Sequence, residues 1–448
     1  MQSLIIEPFL PLTEVSFFYG GSRHVVSSAD DDLIEWTCQR STSGQPGQWT
    51  VSLVHRLVNG HSWAEEIPRQ AYCEIRAGND HRQNPLPIRM RGFVSTTTPG
   101  WSIGPKGGPT RSVTIAGEDY TKLFHNFQIQ YLWQTMTAAS QKKMAVLRFG
   151  LDYNFHIPQV SVHPRQFVQL ILDHVFDAPN TGYLPHLRES ISPHIPGIAL
   201  HCTVPNAVEL PTLTIQSWQG PLWNLLSYFA SAPLTEFFIF DDTAGPVLTF
   251  RIPPFYDMDH PNQLATLVVE PYLPAIALDP AQTSGVDVGY SDQEVSNFFL
   301  IWPDNTGSSV LPVGMVNFLK AGKNPLIDEE SMHVFGFRPM EVTTPLVGLS
   351  PTQGSTAQLQ MRAEQFAAYL YQTQHRNQDL ASGTIQVHGQ PEWIPGRYLE
   401  IPNVGRYYIQ GVQEQFQAVG AAQPSWQATL SVTRGQVSSL DVVPEPGG

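Results

Sequence analysis

In "WQATLSVTRG" (426–435), Trp426, Ala428, Leu430 and Val432 alternate with Gln427, Thr429, Ser431 and Thr433. Successive side chains of a strand point to opposite faces, so this period of two predicts a half-buried strand. The preceding "RYYIQGVQEQF" (406–416) predicts its partner. "EVSNFFLIWP" (294–303), "SGTIQVHG" (382–389) and "GRYLEI" (396–401) predict further strands of the same set. A second series stands near the start: "LIEWTCQR" (33–40), "GQWTVSLVHR" (47–56), "YCEIRAG" (72–78), "IRMRGFVS" (88–95) and "RSVTIAG" (111–117). The turn signals "SGQPG", "AGND" and "TPGWSIGPKGGPT" separate them. Five short strands with such connections predict a small antiparallel barrel.

Between the two series the period changes. In "EDYTKLFHNFQIQYLWQTM" (118–136), Leu123, Phe127 and Tyr131 fall at i, i+4 and i+8, a helical stripe. "GPLWNLLSYFASAP" (220–233) predicts a buried helix closed by Pro233, and 234–252 a hairpin turning from Asp241 to Gly245. Leu359, Ala363, Phe366 and Leu370 form one face of a helix over 355–376, with Ser355 and Thr356 as caps.

The two strand series match in order. "IRMRG" and "YYIQG" both end on glycine, and Ser-Val-Thr follows Gly92 and Gly411 at the same distance, 112 − 92 = 431 − 411 = 20. This predicts an internal duplication. The chain is therefore α+β, mainly β: two similar small antiparallel β-barrels with an inserted mixed helical and strand region. The predicted boundaries are an N-terminal arm (1–25), a first barrel (26–120), a middle region (121–285), a second barrel with an inserted helix (286–436) and a tail (437–448).

With 448 residues the chain exceeds one compact core. Only 14% of residues are charged, well below the usual ~25%, so the surface is either rich in Gln, Thr, Ser and Asn or largely covered by partners. The formal charge is −14, and no cluster of Lys and Arg appears that would grip nucleic-acid phosphates. Cys38, Cys73 and Cys202 are widely spaced and odd in number, so buried reduced thiols are expected rather than a disulfide framework. The opening "MQSLIIEPFLPLTEVSFF" lacks a basic start and carries Glu7 and Glu14, so no signal peptide is expected. No apolar run reaches the ~20 residues of a membrane span.

No catalytic, cofactor or metal site is expected. Gly104–Gly108 lacks the GxxxxGK[ST] pattern, and Pro105 and Pro109 remove amides that would cradle phosphate. His194, His201 and Cys202 fit no zinc spacing. Glu236 with Asp241 and Asp242 is a candidate glycosidase pair, but a turn accounts for two of the three. Asp30-Asp31-Asp32 predicts a solvated strand entry rather than a calcium loop.

Several stretches together resemble the central baseplate-hub family of contractile phage tails and related injection machines, the late control D-type proteins. They are "IRMRGFV" leading to "RSVTIAGEDYTKLF", "LWNLLSYFASAPLTEFFIFDD" before "LTFRIPPF", "YSDQEVSNFFLIW" before "LIDEESMHVFGFRPMEVTTPL", and "GQPEWIPGRYLEI" running into "YYIQGVQEQF" and "TLSVTRGQ". Ile252 and Phe335 depart from the usual family residues. The resemblance implies a non-enzymatic homotrimer whose six barrels match a tail tube, or its initiator protein, above and a central spike below. Other baseplate proteins would surround it. DNA would pass through the channel without specific binding; the −14 balance, rather than the resemblance, adds the expectation that carboxylates line it and favour sliding. It further implies assembly in the host cytoplasm, residence in the virion baseplate, and no membrane insertion. The alternatives are a tail-associated cell-wall hydrolase, and a hub–spike or receptor-binding component.

Overall fold

The computed structural model describes residues 11–30, 32–55, 57–58, 60–79, 85–103, 109–129, 144–148, 151–155, 163–179, 182–204, 220–255, 275–278, 282–304, 319–347, 356–402, 405–418 and 424–437. Seven strands build a first module: β1 (Leu12–Tyr19), β2 (Ser22–Ser27), β3 (Leu33–Ser41), β4 (Gln48–Val54), β5 (Tyr72–Gly78), β6 (Ile88–Ile103) and β7 (Pro109–Glu118). Their order in the sheet is β2-β1-β5-β6-β7-β4-β3. The alternation read from the sequence sets the core: Trp36, Cys38, Val51, Leu53, Val113 and Ile115 all point inward. The hairpin β1–β2 begins in the stretch read as an arm and runs two residues past its end. β1 pairs along β5 and buries Val15 and Phe17 in the same core.

The middle region holds α1 (Thr121–Asn126), α2 (Pro164–Ile171), α3 (Tyr183–Ser190), β8 (Ala199–Thr203), α4 (Leu222–Phe229) and the hairpin β9 (Glu236–Asp241) with β10 (Pro246–Arg251). α1 is shorter than its stripe predicts. Phe127 turns extended and stays buried as the C-cap, and Gln128–Ile129 pairs with Gly220–Pro221. Tyr131 lies outside the described residues.

The second module contains β11 (Ile276–Ala277) and β12 (Thr283–Gly289). Three strands then leave it: β13 (Phe298–Pro303), β14 (Leu326–Ile327) and β15 (Pro339–Thr344) form a separate sheet, with α5 (Glu329–Phe335) connecting the last two. The strand expected over 294–303 therefore belongs to this sheet, not to the barrel. Its Phe299 and Ile301 share the middle-region core with Leu359, Ala363, Phe366 and Leu370 of α6 (Thr356–Gln374). Ser355 lies outside the described residues. The module resumes with β16 (Ala381–His388), β17 (Tyr398–Ile401), β18 (Gly405–Gln417) and β19 (Ser425–Val437). In β19 Trp426, Ala428, Leu430 and Val432 are buried, as the period of two predicts.

Five strands of the second module repeat five of the first. β12-β16-β19-β18-β17 follows the same order as β3-β4-β7-β6-β5, and every one of these ladders is antiparallel in both. The registers coincide as well. Thr97 faces Ile115 in one hairpin and Val412 faces Leu430 in the other, so one shift, 412 − 97 = 430 − 115 = 315, carries the first onto the second. The bulge between Val94 and Thr96 lands on that between Ile409 and Gly411. A shift of 286 − 36 = 250 carries β3 onto β12, bulge included: Leu33/Glu35 becomes Thr283/Gly285. Bulges are specific features of a strand pair, and their coincidence marks a duplicated unit.

The sequence clue to this repeat is out of register. Gly92 and Gly411 differ by 411 − 92 = 319, four more than the structural shift of 315. Gly411 faces Ser431, whereas Ser112 faces Gly100 and Gly92 faces Cys73. The duplication is present, but the shared tripeptide does not mark equivalent positions.

Candidate functional site

β18 belongs to both modules. Its first residues pair with β17, and Gly411–Gln417 pairs with Ser41–Glu35 of β3, so one sheet runs through both modules. An unpaired strand edge is a row of unsatisfied amides and carbonyls, and here each module covers an edge of the other. Phe416 stands opposite Trp36, with rings 5.9 Å apart and 11° from parallel. Trp426 meets Trp36 edge-on at 6.4 Å. Phe416 and Trp426 come from the second module yet are buried in the core of the first. The Trp36 indole N–H donates to Thr13 Oγ1 at 2.8 Å, which satisfies its one polar atom.

Four buried arginines fasten this junction. Arg89 pairs with Glu414 at 2.9 Å, both almost fully buried, and its Nη2 also donates to the Trp393 carbonyl at 2.9 Å. A further guanidinium N–H reaches the Pro391 carbonyl, and the group lies over the Trp426 ring at 5.8 Å. Arg40 donates to Asp241 at 3.3 Å and to the Arg89 carbonyl. The Arg91 backbone N–H donates to the same Asp241 carboxylate at 3.0 Å, and its side chain to the Asp242 and Thr243 carbonyls at 2.6 and 3.1 Å. Arg251 pairs with Glu236 at 2.9 Å and donates to Gly396 O and Tyr408 Oη, each at 2.8 Å. The middle hairpin β9–β10 is thus tied at one end to the first module and at the other to the second.

Burial pushes the Asp241 carboxyl above the usual range, and the Arg40 and Arg91 guanidiniums pull it back. Asp119 accepts from the Gly47 amide at 3.1 Å and from the Thr121 amide and hydroxyl. Full burial nonetheless raises its carboxyl to about 7. Each of these carboxylates is held in place by several donors, as a buried polar network requires.

The candidate chemistry disperses accordingly. Glu236 and Asp241 sit at opposite ends of β9, each engaged by arginine, and only Asp242–Gly245 forms the turn. Asp241 is buried rather than a turn residue, which corrects the expectation from sequence. His201 and Cys202 lie on β8 opposite Thr249 and Phe250, and burial raises the Cys202 thiol to about 11. The His194 amide donates to Ser192 Oγ in the preceding loop. Among the described residues no cluster of three or more His, Cys, Asp or Glu is placed to hold a metal. Asp30 accepts from the Ser27 amide and hydroxyl, whereas Asp32 is buried and not solvated. Asp31 and Gly104–Gly108 lie outside the described residues. Cys38 and Cys73 are free thiols buried in the first core. Among the described residues no helix is long and apolar enough to cross a membrane.

The arginine clamp was not visible in the sequence. Its one legible signal was "IRMRG", where Arg89 and Arg91 alternate with Ile88 and Met90 on a strand that must bury both faces.

No protein-family model matches the chain, and no curated protein matches it. Solved structures do. A tail protein from Neisseria meningitidis MC58 is 12% identical over 94% of this chain and 96% of its own, with a TM-score of 0.49. The prophage MuSo2 43 kDa tail protein from Shewanella oneidensis gives the same four values, 12%, 94%, 96% and 0.49. Prophage tail protein gp18 from Listeria monocytogenes is 9% identical over 94% of each chain, with a TM-score of 0.42.

Proposed function

We propose that this chain is the baseplate hub of a phage tail or related injection machine. Three copies form a ring that joins the tail tube to the central spike and encircles the DNA channel. The observation that carries this reading is the duplicated module joined to itself edge to edge within one chain. A duplicated unit, taken three times, presents six near-equivalent modules about one axis. Such a ring matches a sixfold tube on one side and a threefold spike on the other. The sequence resemblance points the same way, since its stretches span both modules and the region between them.

The role is structural. Of the carboxylates considered for catalysis, Glu236 and Asp241 are engaged in the arginine clamp, which fixes how the two modules sit, and Asp242 accepts from the Thr243 amide in the turn. A buried ion pair is weak evidence for stability, but breaking one is costly, and that suits a part whose geometry must be held.

Electron-microscopy class averages of the purified protein test the reading. The expected particle is a ring with six lobes around an open centre. Particles with twofold symmetry, or single two-lobed chains at every concentration tried, would overturn it.

A further inference from the structure

The way β18 joins β3 inside the chain specifies how one copy joins the next. Under the shifts that superpose the modules, β18 corresponds to β6 and β3 to β12. Inside the chain the second half of β18 is covered by β3. The corresponding half of β6 is not. β5 covers β6 only as far as Phe93, Val94 bonds to Gln70 and Ala71, and among the described residues no strand follows on that side. The counterpart of β3, strand β12, ends the sheet, and among the described residues no strand pairs with its outer edge. Among the described residues each chain therefore has one filled junction and two halves of an empty one.

We infer that the open edge of β6 beyond Val94 pairs antiparallel with β12 of a second copy of this chain, placing Trp101 opposite Val286. This rests on the ring proposed above and gives it a defined contact. The register is not adjustable. Phe416 corresponds to Trp101 under the shift of 315, and Trp36 to Val286 under the shift of 250. Phe416 faces Trp36 in the filled junction, so Trp101 faces Val286 in the empty one, with Gly100 opposite Asp287 and Thr98 opposite Gly289.

The side chains bear this out independently. Phe416 and Trp36 are fully buried, whereas Trp101 is 77% exposed and Val286 48% exposed. An exposed tryptophan on a strand edge is costly in water and is an aggregation hazard unless another chain covers it. Tyr290, which follows β12, is 59% exposed and falls opposite Thr97 in the same register. The two edges thus carry three large exposed apolar side chains at the positions the filled junction buries. Pro99 would face Val288; lacking an N–H, it removes at most one bond from the ladder.

Site-specific cross-linking of the full chain tests this. Trp101→Cys and Val286→Cys are made singly in a Cys202→Ser background, mixed and oxidised. Directly opposite residues of an antiparallel pair lie within disulfide reach. The expected product is a two-chain species in the mixture, absent from either variant alone. Trp101→Cys mixed with Asp287→Cys, which points to the other face, should give at most a tenth as much. Trp101→Glu should lower the assembled fraction at least tenfold while leaving the far-ultraviolet circular dichroism of the chain unchanged. Equal yields from Val286→Cys and Asp287→Cys, or full assembly of Trp101→Glu, would overturn the inference. Rings that persist without the Trp101–Val286 cross-link would overturn this contact and leave the hub reading standing. Cross-linked assemblies without threefold order would support the contact and remove the hub reading.

Discussion

Arg89 and Glu414, 325 residues apart in sequence, meet at 2.9 Å in an environment from which water is excluded. One lies on β6 of the first module and the other on β18 of the second, so the pair bridges the duplication. Removing one partner leaves an uncompensated buried charge. Arg89→Met or Glu414→Gln should each lower unfolding stability by about 3–5 kcal/mol. The double variant Arg89→Met with Glu414→Leu should recover a large share of that loss. Urea unfolding of the three proteins reads this out, and a wild-type midpoint for Arg89→Met would show the pair to be dispensable.

Phe416 is contributed by one module and buried in the core of the other. Phe416→Ala should cost about 3–5 kcal/mol. The loss should appear first at the seam, as faster amide hydrogen exchange across residues 35–41 of β3. Exchange that rises uniformly across both modules would contradict a local role.

Asp119 gives the fold a pH dependence. Burial raises its carboxyl to about 7, above the ordinary value of about 4. Its contribution is therefore full below pH 4 and is lost as pH rises through 7, a difference of up to about 4 kcal/mol. Asp119→Asn gives up one of the accepted hydrogen bonds but should flatten this slope. Melting temperatures at pH 5 and pH 8 measure it, and an unchanged slope in the variant would assign the effect elsewhere.

Gly389 lies against the Trp426 ring, where an added Cβ would come within 2.1 Å of ring carbon. The backbone N–H of Gly389 donates to the Trp426 carbonyl at 2.9 Å, so the strand cannot easily retreat. Gly389→Ala should cost about 1–3 kcal/mol through overpacking, seen as a lower urea midpoint with an unchanged m-value.

The strands most legible in the sequence were those buried on one face. Trp426 to Val432 and Trp49 to Leu53 alternate cleanly because one side meets a core and the other meets solvent. β12 was missed because it is an edge strand with exposed positions on both faces and Gly285 in its run, so no period stands out. The stripe through Leu123 and Phe127 predicted too long a helix because Phe127 is buried by tertiary contacts rather than by a helical face. The clamp was hidden for a different reason. Asp241 precedes a real turn and looks like part of it; only the folded arrangement brings Arg40 and Arg91 to it across 150 residues or more. The duplication was legible in strand order but not in register. Core positions such as Val51 and Ile385, or Ile115 and Leu430, keep size and burial rather than identity.

The central claim is that three copies of a duplicated chain close one ring, and its most direct test is the mass of the protein in solution. Light scattering coupled to size exclusion, over a concentration series, should converge on three times 49.9 kDa, about 150 kDa. Convergence on one or two chains would contradict it.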